Sequence, residues 1–134
     1  MTGHDPAAEF FAGLPPQRRA DAEAVHDLIR AAAPRLTPWI WRGVMWGGTD
    51  QTILGYGRIA QTNRGGATVE WFRIGLAYLS LYVSATRDGR YLAQVYGPRL
   101  GKAKIGSSAL SFRRLADLDR SVLTELVAEA ARPD

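Results

Sequence analysis

The sequence predicts an α+β fold: a mainly antiparallel sheet of about five strands, with N-terminal and C-terminal helices packed on one face. Three observations lead there. Apolar residues recur at helical spacing near both ends, and short aromatic and β-branched runs broken by glycine fill Trp39 to Val83. No repeat, low-complexity stretch or linker divides the chain, so residues 1–134 read as a single domain with its core between about 7 and 127. At 134 residues and 46% hydrophobic composition, such a chain can bury about two thirds of its unfolded surface.

Asp5 followed by Pro6 predicts a helix start, with the carboxylate placed to accept a free backbone N–H and proline in the first turn, and Gly13 ends it. After Pro15 and Pro16, the segment Arg18 to Ala33 sets Val25, Leu28, Ile29 and Ala32 on one helical stripe and stops at Pro34. His26 sits beside that stripe as a packing residue. Strands are predicted near Ile40–Trp46, Thr52–Ile59, Val69–Ile74 and Ala77–Ser84, with turns in GGTDQ, in NRGG and at Gly75, giving a four-stranded meander. A helix from Asp88 to Tyr96 closed by Gly97 and Pro98 follows, then a strand at Ala109–Phe112. In the last helix Asp117 is the expected cap, and Leu118, Val122, Leu123, Leu126 and Val127 form the buried stripe.

Composition narrows the chemistry. The absence of Cys removes disulfides, thiolate nucleophiles and sulfur-ligated metal, and two His, His4 and His26, leave little material for a histidine metal site or a Ser-His-Asp relay. The net charge of +4 arises from 15 Arg and 2 Lys against 13 acids, which favours anionic partners. Nucleic acid is not an expected partner, because its binders concentrate charge into a denser basic stripe. No apolar run approaches the roughly 20 residues of a bilayer crossing, and the N-terminus carries no secretory pattern, so the expected location is the cytoplasm, with no membrane partner.

Candidate chemistry lies in two places. Leu100 to Leu118 puts Lys102, Lys104, Ser107 and Ser108 in a glycine-bounded loop whose donors can hold an anion. This loop lacks the GxxxxGK[ST] order and following helix of a P-loop, and GYGR at Gly55–Arg58 lacks the spacing of a dinucleotide fingerprint. The second place is the sheet surface opposite the helices. With Leu79, Leu81 and Val83 facing the core, alternation sends Tyr78, Ser80, Tyr82 and Ser84 outward, and Trp71 with Arg73 and Tyr56 with Arg58 join them if those strands pair in the same phase. Flat rings and guanidinium groups on one surface can stack a planar ligand or bind an anion, cover the sheet, or meet a second subunit. The three tryptophans of WIWRGVMW read as core, and Asp117 with Asp119 as helix capping.

GYGR, EWFRIGL at Glu70–Leu76, LSLYV at Leu79–Val83 and LGKAKIGSSALSFRRLADLD at Leu100–Asp119 occur in an order that resembles the YdhG-like family of small bacterial domains of unknown function, from roughly Ala7 to Val127. The resemblance implies a frataxin-like α+β domain, and for some relatives an intracellular iron-chaperone role. Iron prefers carboxylate oxygen, and the long N-terminal helix offers Asp21, Glu23 and Asp27 among Arg18, Arg19 and Arg30.

The expected function is that of a non-catalytic binding domain for a small anionic or aromatic molecule, with neither metal nor cofactor. An iron chaperone and a homodimeric interaction module are the alternatives. Enzymatic activity is the least supported class, since no nucleophile–base pair is visible.

Overall fold

The computed structural model describes residues 5–44, 50–62, 65–78 and 80–132, with the side chains of Val44, Asp50 and Gln61 left aside. The predicted positions Met45, Trp46, Leu79 and the turn residues 47–49, Asn63 and Arg64 lie outside the described residues.

Helix α1 spans Pro6–Ala12 and begins as its sequence dictates: the Asp5 carboxylate accepts from the Ala7 N–H at 3.0 Å, and Gly13 caps the other end. Helix α2 spans Pro16–Ala32 and buries Ala22, Val25 and Ile29. Strands β1 (Pro38–Val44) and β2 (Asp50–Tyr56) pair along their whole length, from Pro38 with Tyr56 to Val44 with Asp50. The chain then runs out and back as a separate ribbon, β3 (Ile59–Thr62) with β4 (Thr68–Trp71), before rejoining the sheet as β5 (Ile74–Leu76) and β6 (Ser80–Val83). Next come a two-stranded hairpin, β7 (Thr86–Arg87) with β8 (Arg90–Tyr91), helix α3 (Leu92–Tyr96) and a 3-10 turn at Gly97–Arg99. The chain closes with β9 (Lys104–Ile105), β10 (Ala109–Ser111), a 3-10 turn at Leu115–Asp117 and helix α4 (Arg120–Ala130).

The main sheet is antiparallel throughout, six strands in the order β1-β2-β5-β6-β10-β9. A four-stranded meander is present as β1-β2-β5-β6, but its second strand ends at Tyr56 rather than Ile59 and its third is Ile74–Leu76 rather than Val69–Ile74, because Thr68–Trp71 pairs with Ile59–Thr62 in the ribbon. Strand β10 extends the sheet from β6, and β9 forms the far edge. Among the described residues the four helices lie on one face. Phe10, Val25, Ile29, Leu92, Leu123, Leu126 and Val127 pack against Leu54, Ile74, Leu76, Leu81, Val83 and Leu110 in one continuous core. Leu81 and Val83 face this core, as alternation predicts. Among the described residues, no helix is long and apolar enough to cross a membrane.

Several local expectations are corrected. Gly75 lies inside β5 opposite Gly55 and Tyr82, and the tight turn follows Leu76, where the Ala77 N–H donates to the Ser80 carbonyl at 2.9 Å. Asp88 and Gly89 do not start a helix; both have positive φ, 52° and 79°, and close the β7–β8 hairpin as an Asp-Gly turn. The cap of α4 is Asp119, which accepts from the Val122 N–H at 3.2 Å, while Asp117 ends the preceding 3-10 turn.

Candidate functional site

The open face of the sheet carries a second, aromatic cluster to which no helix residue contributes. Ile53, Phe72 and Ala77 are buried there beneath half-buried Trp39, Trp41, Trp71 and Tyr82. Cross-strand register makes room for it. Tyr82, Gly75, Gly55 and Trp39 stand opposite one another on four neighbouring strands, so two bare glycines form a trough between two large side chains. Phe72 fills that trough: a Cβ added at Gly75 would meet its Cε1 at 2.4 Å, and one at Gly55 its Cβ at 3.0 Å. Trp71 stacks on Phe72 at 4.5 Å between centroids, and Trp41 meets Trp71 edge-on at 5.1 Å. Trp39 donates from Nε1 to the Gly57 carbonyl at 2.8 Å, and the Arg58 guanidinium lies 4.0 Å over its ring. Arg58 also reaches both Glu70 oxygens, at 2.9 and 3.1 Å, in an exposed pair.

At the opposite end of the sheet, a shallow basin of about 470 Å³ is lined by Lys102, Lys104, Ser111, Phe112, Arg113, Arg114 and Asp117. Three segments are tied together to build it. Gly101 bridges Leu118, the Lys102 N–H donates to the Asp117 carbonyl at 2.9 Å, and the Asp119 N–H donates to the Leu100 carbonyl at 2.8 Å. The approach at Gly101 needs glycine twice over, since φ is +98° and a Cβ would sit 2.5 Å from the Asp117 oxygen. Short β9 then presents Lys104 opposite Ser111. Four cations therefore surround one acid. Asp117 is 3.8 Å from Arg114, and among the described residues Lys102, Lys104 and Arg113 make no ion pair with a carboxylate. Three cations that line one hollow without a carboxylate partner suit a multiply charged anion that several donors can grip at once.

The expected site residues divide. Lys102 and Lys104 share the basin, while Trp71, Tyr82 and Arg58 lie with the aromatic cluster. Ser107 and Ser108 belong to the β9–β10 turn outside the basin, where the Ser108 carbonyl accepts from the Val83 N–H at 2.8 Å. Tyr56 faces the helices rather than solvent. It is fully buried, and its hydroxyl meets His26 Nδ1 at 2.7 Å. Arg73 also turns to the helix side, donating to the Ala130 and Arg132 carbonyls at the end of α4, at 3.2 and 3.0 Å. Tyr78 sits in the turn after β5, 47% exposed beneath the Arg18 guanidinium, and lines a hollow with Glu9 and Arg42. Ser111, Arg113 and Arg114 were missed. Their signal, SFRR running out of the end of a predicted strand, had no meaning until the strand's neighbour was known.

The acids proposed for iron are dispersed. Asp21 Oδ2 accepts from the Leu115 N–H at 2.9 Å and so caps the 3-10 turn, while Glu23 and Asp27 are exposed. Among the described residues no group of three or more histidine or carboxylate side chains converges. Asp21→Ala is accordingly expected to cost about 1–2 kcal/mol, as loss of a capping acceptor does, and Asp21→Asn less. Urea unfolding of the two variants checks this, and equal midpoints for Asp21→Ala and the parent chain would contradict the capping role.

A further hollow of about 380 Å³ is lined by Arg73, Ser84, Glu129 and Arg132. Its carboxylate is already engaged from outside the hollow, and Arg73 is bonded to the carbonyls at the end of α4. Arg87 grips both Glu129 oxygens and Tyr96 donates to Oε1 at 2.6 Å, which together, Arg87 first, hold the Glu129 carboxyl down at about 2. This is a clamp between the β7–β8 hairpin, α3 and α4. Searches against protein-family models, characterised proteins and solved structures found no match to this chain.

Proposed function

We propose that the chain is a non-catalytic binding domain that takes a small anionic molecule in the basin of Lys102, Lys104, Arg113 and Arg114. A single observation carries this reading: four cationic side chains from two chain segments line one hollow with a single acid among its lining residues. Ser111 adds a hydroxyl donor at the floor, and nothing in the basin pairs a nucleophile with a base. Phosphates and organic acids fit this donor set better than neutral molecules, since a hydrogen bond to a charged group contributes about 1.5–3 kcal/mol.

Calorimetric titration with inorganic phosphate, mononucleotides and di- and tricarboxylic acids tests it. Binding by at least one of them is expected, and Lys104→Ala or Arg113→Ala lowers that affinity roughly 10- to 100-fold. If none of these anions binds, or if both variants bind as the parent does, the reading is wrong.

A further inference from the structure

We infer that the basin is one end of a track for single-stranded nucleic acid that crosses the open face of the sheet to the tryptophan cluster. The inference rests on the basin's reading as an anion site and extends it to a ligand class.

Register places the two ends on one surface. In an antiparallel pair, directly opposed residues project to the same side, and Lys104 opposes Ser111, which opposes Ser80. The Ser80 and Ser111 hydroxyls, 3.1 Å apart, confirm that these side chains stand together. Tyr82, two residues on from Ser80, shares that side, and the row opposite it leads through Gly75 and Gly55 to Trp39. The open face therefore runs from cations through paired hydroxyls to rings. Five strand spacings separate β9 from β1, about 24 Å.

That sequence of chemistries matches a chain of alternating phosphates and flat bases. The basin holds uncompensated cations for the phosphates. The aromatic end offers half-buried rings on which, among the described residues, no helix packs, and sequence-tolerant stacking on such rings is how sheet surfaces hold unpaired bases. Arg58 supplies a second cation at the aromatic end, beside Trp39. Its pair with Glu70 is exposed on both sides and so is cheaply exchanged for a phosphate. A lone small anion would leave the rings unused, and an acidic peptide does not carry a flat ring on every charged unit as a nucleotide chain does. The modest overall charge of +4 is not spread evenly: the fold gathers four bases from Lys102 to Arg114 around one basin at the β9 edge of the sheet, with Lys104 and Ser111 on this face.

Titration of the full chain with single-stranded DNA and RNA of about ten nucleotides, followed by tryptophan fluorescence, tests this. An oligonucleotide is expected to bind at least about tenfold more tightly than the corresponding mononucleotide, to quench the tryptophans, and to weaken as salt rises. Tyr82→Ala, on the track but not lining the basin, removes a stacking ring and is expected to weaken the oligonucleotide about tenfold while leaving inorganic phosphate unaffected. A mononucleotide that binds as well as the oligonucleotide overturns the track and leaves the basin standing, whereas loss of every anion removes both. Equal binding by heparin or by a duplex of the same length also overturns it, because charge alone would then account for the affinity.

Discussion

Phe72→Ala lowers the stability of the fold by about 3–5 kcal/mol, the cost of emptying a fully buried aromatic site whose walls relax only in part. These walls are unusual in having little ability to follow. Gly55 and Gly75 offer no side chains to move into the space, and Trp39 is fixed by its bond to the Gly57 carbonyl. Loss of Phe72 also strips Trp71 of its stacking partner, and such pairs contribute about 0.5–1.5 kcal/mol beyond area. Gly75→Ala perturbs the same contact from the other side. The new Cβ would stand 2.4 Å from a ring that cannot swing away, an overpacking expected to cost about 1–3 kcal/mol. In the double variant the methyl occupies space the ring has left, so the two costs do not sum. A cycle of urea unfolding measurements should give a favourable coupling of about 0.5–3 kcal/mol. Additive losses would mean that ring and glycine do not share the trough.

The same trough explains which parts of the open face were legible. Within an unbroken strand, alternation works: Leu81 and Val83 went inward and Tyr82 outward. Across Gly57 it fails. That residue has φ +73° and interrupts the strand between Tyr56 and Arg58, so Tyr56 enters the helix-side core while Arg58 lies over Trp39 on the other side. The paired position across the ribbon, Phe72 and Arg73, breaks in step, sending Trp71 outward and Arg73 to α4. One irregularity on each strand thus reversed the expected phase of two arginine–aromatic pairs. A strand-interior glycine announces such a bulge as readily as a close approach, and sequence alone does not separate them.

Helix ends were legible for a different reason: a cap is a contact between neighbours in sequence. Asp5 and Pro6 start α1 without help from the rest of the chain. At α4 two aspartates two residues apart competed, and the choice fell to Asp119 because the Gly101–Leu118 bridge holds the residues before it in a 3-10 turn. The basin was half legible on the same principle. Lys102 and Lys104 are near neighbours, whereas Ser111, Arg113 and Arg114 join them only through pairing of β9 with β10 and the anchoring of Gly101. The Asp-Gly turn at 88–89 was a local signal too, and the helical pattern that follows it concealed it.

Lowering the pH from about 7.5 to about 5 is expected to reduce stability through His26, and the reason lies in its pairing with Tyr56. Burial is the largest influence on the imidazole and pushes its pKa below the ordinary value of 6.5; Arg30 acts the same way, while Asp27 and Asp5 oppose them. Burial also raises the Tyr56 hydroxyl, which keeps its proton and, we assign, donates it to Nδ1. Protonation of His26 would turn Nδ1 from acceptor to donor and leave the tyrosine proton facing it. Because the unfolded chain takes up a proton near 6.5 and the folded chain only below that, stability is complete above about 6.5 and declines as the pH falls through this value towards the depressed one. His26→Leu removes that slope, and Tyr56→Phe, which strands a half-buried ring nitrogen, costs about 1–3 kcal/mol at neutral pH. Urea midpoints of the parent and both variants across this pH range decide the matter: a parallel decline in His26→Leu would assign the acid sensitivity to other groups, the Arg87–Glu129 clamp excepted, since a carboxyl held near 2 loses its contribution only below about 4.5.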